Sequence, residues 1–142
     1  MPENLIGPKT NVPEIEIPEI PETPVYTFRE VWSNPNTNNH FAAQTLSLDL
    51  SQYDAIYVVI KGAADRTSYG GGIIFKGVNY DVMITMIDGL NGQYIFGRRF
   101  RMTDSSVVIS IGTHAAVDNG AHANRNDLAI PVKIYAISFC KA

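Results

Sequence analysis

The distribution of proline along the chain is the feature that most constrains its fold. Six of the eight prolines lie in residues 1–24, together with five glutamates and no aromatic residue. From Val25 onward only two prolines remain, and apolar and aromatic residues are frequent. The first composition buries too little apolar surface to form a core, whereas the second buries enough. We therefore predict an N-terminal arm over residues 1–24 and one folded domain over residues 25–142.

The arm is predicted to be extended, because Pro18, Pro21 and Pro24 recur with the three-residue period of polyproline II. Each proline fixes its own φ and biases the preceding residue toward extended geometry. Isoleucines between the prolines favour docking in a groove, and the alternative is a spacer that happens to be apolar. The residues predicted to dock are Pro13, Ile15, Ile17, Pro18, Ile20, Pro21 and Pro24.

The net charge of −3 is divided unevenly between the two parts. Five glutamates and one lysine give residues 1–24 a charge of −4, which leaves +1 on the 118 residues that follow. A nearly neutral domain lacks the field with which proteins hold nucleic acid. No apolar run approaches the ~20 residues of a membrane span, and no signal peptide is recognisable. We expect a soluble protein that binds neither nucleic acid nor membrane, with an acidic arm that either seeks a basic groove or is simply solvated.

Apolar and polar residues alternate with period two through much of the domain, which is typical of half-buried β-strands. In Tyr53–Lys61, for example, Ile56, Val58 and Ile60 share one face. The predicted fold is all-β, an antiparallel β-sandwich or jelly-roll-like domain of about eight strands. The predicted strands are Tyr26–Trp32, Thr45–Leu50, Tyr53–Lys61, Gly72–Phe75, Tyr80–Ile87, Gln93–Thr103, Ser106–Ile111 and Val132–Phe139.

Two segments are predicted to be irregular. Gly70-Gly71-Gly72 is interpreted as a flexible hairpin tip, since it lacks the Lys-Ser/Thr and the helix of a phosphate loop. Thr113–Leu128 is long and polar and is interpreted as a loop of functional interest. Tyr69, beside the triple glycine, is the aromatic residue best placed to stack on a sugar.

The histidines give a weak metal signal. His114 and His122 flank Asp118 with three residues on either side. A metal site requires three or four ligands that converge from a rigid scaffold. We favour the interpretation that these are polar loop residues, and a histidine ring around an oligomer axis is the variant left open.

Arg98, Arg99 and Arg101 form one basic cluster, in which strand alternation places Arg99 and Arg101 on one face. They could contact a carboxylate or phosphate on a glycan or a neighbouring subunit. The interpretation that we favour is a solvated strand face paired with residues such as Asp81 or Asp104. The candidate ligand or subunit contacts are Tyr69, Arg99, Arg101, His114 and His122.

No residue pattern indicates catalysis. Ser105-Ser106 lacks the Gly-x-Ser-x-Gly setting of a nucleophile, and the carboxylates are scattered. Cys140, the single cysteine, is expected to be a small apolar residue in the last strand. We therefore predict a protein that is not an enzyme, with no catalytic residue, no cofactor and no metal.

Both ends of the domain are similar to a known type. Val31–Asn36 reads Val-Trp-Ser-Asn-Pro-Asn and is followed by Phe41–Leu50 and Tyr53-Asp54-Ala55, while Ile130–Ile137 reads Ile-Pro-Val-Lys-Ile-Tyr-Ala-Ile. These segments resemble the opening and closing strands of small β-rich domains in tailed bacteriophages and prophages of Gram-positive hosts, on virion proteins of the head-fibre, tail-fibre or baseplate-associated type. The resemblance spans Val31–Phe139. It implies a virion location and a homotrimer, and it transfers no catalytic residue.

The resulting expectation is a bacteriophage structural protein, a short head fibre or capsid decoration subunit. Its arm would dock on a capsid or tail protein of the same virion, and its sandwich would be displayed outward. The alternative is a tail or baseplate module that binds host-surface glycans, with Tyr69 and Thr113–Leu128 as the contact surface.

Overall fold

The computed structural model describes residues 13–18, 26–78, 80–87, 94–116 and 122–139. These residues form ten β-strands and no helix, so the all-β prediction is confirmed. The strands are β1 Tyr26–Ser33, β2 Gln44–Ser47, β3 Ala55–Ala63, β4 Tyr69–Phe75, β5 Val82–Ile87, β6 Tyr94–Met102, β7 Ser106–Ile109, β8 Thr113–Ala116, β9 His122–Asn124 and β10 Leu128–Phe139.

The strands form two antiparallel sheets. The four-stranded sheet has the order β1-β10-β3-β4. In the six-stranded sheet, β6 pairs with β5 along one edge and with β7 and then β8 along the other. Beyond them β2 pairs with β7 and β9 pairs with β8. The predicted antiparallel β-sandwich is confirmed, with ten strands in place of about eight.

The core lies between the two sheets and follows the period-two alternation. Ile56, Val58 and Ile60 of β3 point inward and are fully buried, as predicted from their shared face. Phe100 of β6 and Ile109 of β7 are buried in the same cluster. Each such side chain contributes about 1.5–3 kcal/mol to the free energy of unfolding through its burial.

The triple glycine is not a hairpin tip, so this prediction is wrong. Residues 70–72 lie inside β4 and pair with β3. A side chain is excluded at Gly71 because the ring of Tyr57 crosses it: a Cβ there would lie 2.6 Å from Tyr57 Oη and 2.7 Å from Val58 O. Glycine serves here for close approach and not for turning.

The prediction of one loop over Thr113–Leu128 is also wrong. The segment contains β8, which pairs with β6, and β9, which pairs with β8. Small and polar residues give these strands no clear alternation. Their conformation is decided by their backbone partners, which are β6 for β8 and β8 for β9. Residues 117–121, including Asp118 between the two histidines, lie outside the described residues, and so does Cys140.

Candidate functional site

Arg98 is the most buried polar side chain of the described residues. It lies on the inner face of β6, between the sheets, and is 0% exposed. Neither sequence interpretation of the arginine cluster fits it, because it is neither solvated nor available to a ligand. Alternation correctly separated it from Arg99 and Arg101 and placed it on the face of Phe96, Phe100 and Met102, which is the buried one.

The buried guanidinium of Arg98 is satisfied entirely by backbone carbonyl oxygens. Its donors bond to the oxygens of Ala129 (Nε, 2.9 Å), Phe41 and Ser110 (Nη1, 2.8 Å each), and Leu128 and Asn126 (Nη2, 2.9 and 3.5 Å). Burial lowers the pKa of Arg98 to about 10, so it remains charged at neutral pH. Arg98 therefore joins the segment before β2, the β7–β8 junction and the start of β10.

Arg101 and Arg99 differ in what they contact on the outer face of β6. Arg101 Nε lies 3.0 Å from Asp81 Oδ1, so the predicted pairing with Asp81 is confirmed. The Arg99 guanidinium is exposed and has no ion-pair partner within the described part of the chain. Arg99 is thus the arginine of the cluster whose charge a ligand can use.

A groove of about 240 Å³ runs beside Arg99 on the outer face of the six-stranded sheet. Its floor is apolar and includes Ile95 and Gly97, where a Cβ would lie 2.7 Å from Met83 Sδ. Arg99 and His122 both line it, so the structure brings together two of the candidate residues. Thr113 and Asn124 add polar groups to the same wall.

His114 lies on the opposite side of the same sheet from His122. The β8–β9 register places Ala115 opposite His122 and Ala123 opposite His114, so the two rings point to different faces. His114 stacks on Tyr94 with ring centroids 4.7 Å apart, and its buried Nδ1 has no hydrogen-bond partner in the described structure. Over the described ranges, no three His, Cys, Asp or Glu side chains are grouped to hold a metal ion.

Tyr69 is 57% exposed, but it lies on the outer face of the four-stranded sheet. The β9 residue His122 and the groove lie on the outer face of the other sheet. Tyr69 and the β8–β9 part of the predicted sugar-binding surface are therefore not brought together.

The described part of the arm is uncovered. Residues 13–18 have no regular secondary structure, and Ile15 and Ile17 are 79% and 82% exposed. The other predicted docking residues, Ile20, Pro21 and Pro24, lie outside the described residues.

An exposed apolar surface that the sequence interpretation missed lies on the outer face of the four-stranded sheet. We call it the aromatic face. Its members are Tyr26, Phe28, Tyr69, Ile73, Phe75 and Phe139, which are 36–59% exposed. The sequence signal for this surface was the unbroken apolar run at the start of β3. Such a run is typical of a strand that is covered on both faces, so it indicated that the outer face is apolar as well.

The chain matches no family model, no curated protein and no solved structure. No helix of the described residues is long and apolar enough to cross a membrane.

Proposed function

We propose that this chain is a structural protein of a bacteriophage virion, a short head fibre or capsid decoration subunit. Its N-terminal arm holds the particle, and its β-sandwich is displayed. The observation that carries the proposal is the uncovered arm, in which the side chains of Ile15 and Ile17 are exposed and are not covered by their own domain. Full burial of one isoleucine in a partner groove is worth about 1.5–3 kcal/mol, so such a segment is suited to docking.

The polar groups of the domain support a non-catalytic role. Arg98 is held by carbonyl oxygens, Arg101 by Asp81 and Arg125 by Asp127 at 2.6 Å. These side chains are engaged in holding the fold, which suits a display domain. The partners on this proposal are a capsid or tail protein of the same virion and further copies of the chain in a homotrimer. The chain is made in the host cytoplasm and works on the virion.

The proposal is tested by incorporation into particles. A full-length variant with Ile15, Ile17 and Ile20 replaced by serine should be folded and absent from purified virions, and deletion of residues 1–24 should have the same effect. A matched control is Ile87→Ser, which changes an isoleucine that is 66% exposed on the domain. Incorporation of the arm variants at the wild-type level would refute docking by the arm.

A second candidate function is binding of host-surface glycans, and the groove beside Arg99 favours it. A guanidinium without an ion-pair partner in the described structure can bind a carboxylate or phosphate through two parallel hydrogen bonds. His122 and Asn124 line the same groove and could bond to hydroxyl groups. The ligand class on this reading is an acidic sugar.

Glycan binding is tested on an array that includes sialylated, uronic-acid and phosphate-bearing sugars. Arg99→Ala should abolish the signal, whereas Arg101→Ala should preserve it, because Asp81 already holds Arg101. A wild-type protein that binds no glycan at high concentration would exclude this function, and equal loss in both variants would exclude the groove.

A further inference from the structure

We propose that the aromatic face packs against a second copy of this chain. The inference rests on the proposed function, since it names which surface of the displayed domain joins one copy to another. It assigns a partner to six side chains that the arm and the groove leave unexplained.

The exposed rings of the aromatic face already form a cluster within one copy. Tyr26 of β1 meets Phe139 of β10 edge to face, with ring centroids 5.4 Å apart. Phe139 in turn stacks on Phe75 of β4 at 6.4 Å. The cluster therefore spans the sheet from one edge strand to the other. A sheet face in water normally carries polar residues, whereas a contiguous aromatic patch of this kind marks an interaction surface.

The opposite sheet provides an internal comparison. Its outer face also carries exposed apolar residues, such as Met83 and Ile95. There, however, Thr85, Arg99 and Arg101 lie on the same face. The aromatic face has no such interruption along β4, where Ile73 and Phe75 follow each other on one side. The aromatic cluster thus belongs to one sheet alone.

Charge on the aromatic face indicates which partner fits. Glu30 and Lys133 lie on it and pair with each other, with Lys133 Nζ 2.9 Å from Glu30 Oε2. Lys61 points to the same side but is only 4% exposed, because it donates to Asn38 Oδ1 and Ala64 O. Among the strand residues of this face, therefore, no exposed charged group lacks an ion-pair partner.

A surface without unpaired charge is complementary to itself. An acidic peptide or an anionic glycan would find no free cation on this face. Its binding would also bury the Glu30 carboxylate, and removing that charge from water costs free energy. A second copy brings the same aromatic residues and the same internally neutralised pair. Charged residues are likewise depleted, and aromatic ones enriched, at the centre of interfaces between identical chains.

The position of the arm supports the same partner. The described domain begins at Tyr26, which is itself part of the aromatic face and contacts Phe139. Copies packed through this face would hold the origins of their arms close together. Linked arms bind a particle with an effective concentration in the millimolar range, so even a weak docking peptide becomes a firm anchor.

The test is sedimentation of the full-length protein over a range of concentrations. Phe28→Thr with Phe75→Thr removes two exposed rings and keeps residues suited to strands, so the fold should persist. The dissociation constant for self-association should rise about 100-fold or more. The matched control is Met83→Thr with Ile87→Thr, which removes two exposed apolar side chains from the other sheet. This variant should leave the dissociation constant for self-association unchanged.

Three results would overturn the inference. The first is a wild-type protein that stays monomeric at about 100 μM. The second is a Phe28/Phe75 variant that associates as the wild type does. The third is loss of association in the arm variant with Ile15, Ile17 and Ile20 changed to serine, which would show that contacts of the arm, and not the aromatic face, join the copies. An arm variant that still associates but no longer enters particles supports both proposals. Self-association without any effect of the arm on incorporation refutes only arm docking.

Discussion

The guanidinium of Arg98 lies over the ring of Phe41, 5.4 Å from its centroid, while Arg98 Nη1 donates a 2.8 Å hydrogen bond to the carbonyl oxygen of Phe41. The two residues are 57 positions apart in the chain. One side chain thus fixes both the backbone and the ring of the segment that leads into β2. This contact makes Arg98 central to the stability of the domain.

Arg98→Lys should lower the free energy of unfolding by about 3 kcal/mol or more. A lysine has three donors on one nitrogen and cannot reach the dispersed carbonyl oxygens that the guanidinium satisfies, so buried acceptors lose their partners. Urea unfolding followed by circular dichroism measures the change. The control Arg99→Lys alters an exposed neighbour and should change stability by less than about 0.5 kcal/mol. A loss below 1 kcal/mol in Arg98→Lys would contradict this role.

Gly71→Ala should destabilise the domain by about 1–3 kcal/mol, because its Cβ would overlap both Tyr57 Oη and the backbone oxygen of Val58. Gly72→Ala is the matched control in the same strand. A Cβ there meets Ile84 at 3.4 Å, which is an ordinary contact, so the loss should be below about 1 kcal/mol. Thermal unfolding of the two variants tests the difference, and equal effects would show that close approach at Gly71 is unimportant.

Lys61→Met should cost about 1–3 kcal/mol although it replaces a charge by an apolar group. Lys61 Nζ donates to Thr37 O, Asn38 Oδ1 and Ala64 O, and methionine would leave these acceptors without that donor. Asn38→Ala removes one of the three acceptors and should cost about 1 kcal/mol at most. If Lys61 holds this segment in place, amide hydrogen exchange around residues 37–39 should become faster in Lys61→Met. Unchanged exchange in that variant would contradict this role of Lys61.

Asp127 should give the domain a modest dependence on pH. The hydrogen bond from Arg125 lowers the pKa of the Asp127 carboxyl below its ordinary 3.8. Because the folded pKa is depressed, the stabilisation is present above about pH 4 and is lost as pH falls through the folded value. For a partly exposed pair it amounts to about 0.5–1 kcal/mol.

The measurement is the difference in unfolding free energy between the wild type and Asp127→Asn. We expect this difference at pH 6 and its progressive loss as the pH falls below the ordinary value of 3.8. The control is Asp104→Asn. The Asp104 side chain pairs with Lys76 but is itself 73% exposed, so this variant should show a smaller change in unfolding free energy. A difference that persists at low pH would mean that the ion pair is not its source.

The strands predicted from alternation were found where one side of the strand faces the core. β3 is an example, since Ile56, Val58 and Ile60 point inward as expected. The prediction was wrong where the residues carry no alternation, as in β8 and β9. β8 is a strand because β6 offers it a backbone partner, and β8 in turn offers one to β9. It was also wrong at Gly70–Gly72, where glycine indicated a turn but the residues lie in β4. At Gly71 the absence of a side chain leaves space for the ring of Tyr57.

Among the candidate contacts, the pairing of Arg101 with Asp81 could be predicted because Asp81 directly precedes β5, the strand that pairs with β6. The separation of His114 from His122 could not, since it depends on the register of β8 with β9. The placement of Tyr69 on the other sheet from His122 likewise depends on how the sheets are assembled.

The sequence by itself determined that the chain has a proline-rich arm, that its domain is all-β, and which residues share a strand face, because composition and period-two alternation are local properties. Only the tertiary structure decided that the outer face of the four-stranded sheet stays exposed although it also carries apolar residues. The inner face is covered by the opposite sheet, and the aromatic face is left bare. It also decided that Arg98 lies inside, because the carbonyl oxygens that accept its hydrogen bonds converge from segments up to 57 residues away.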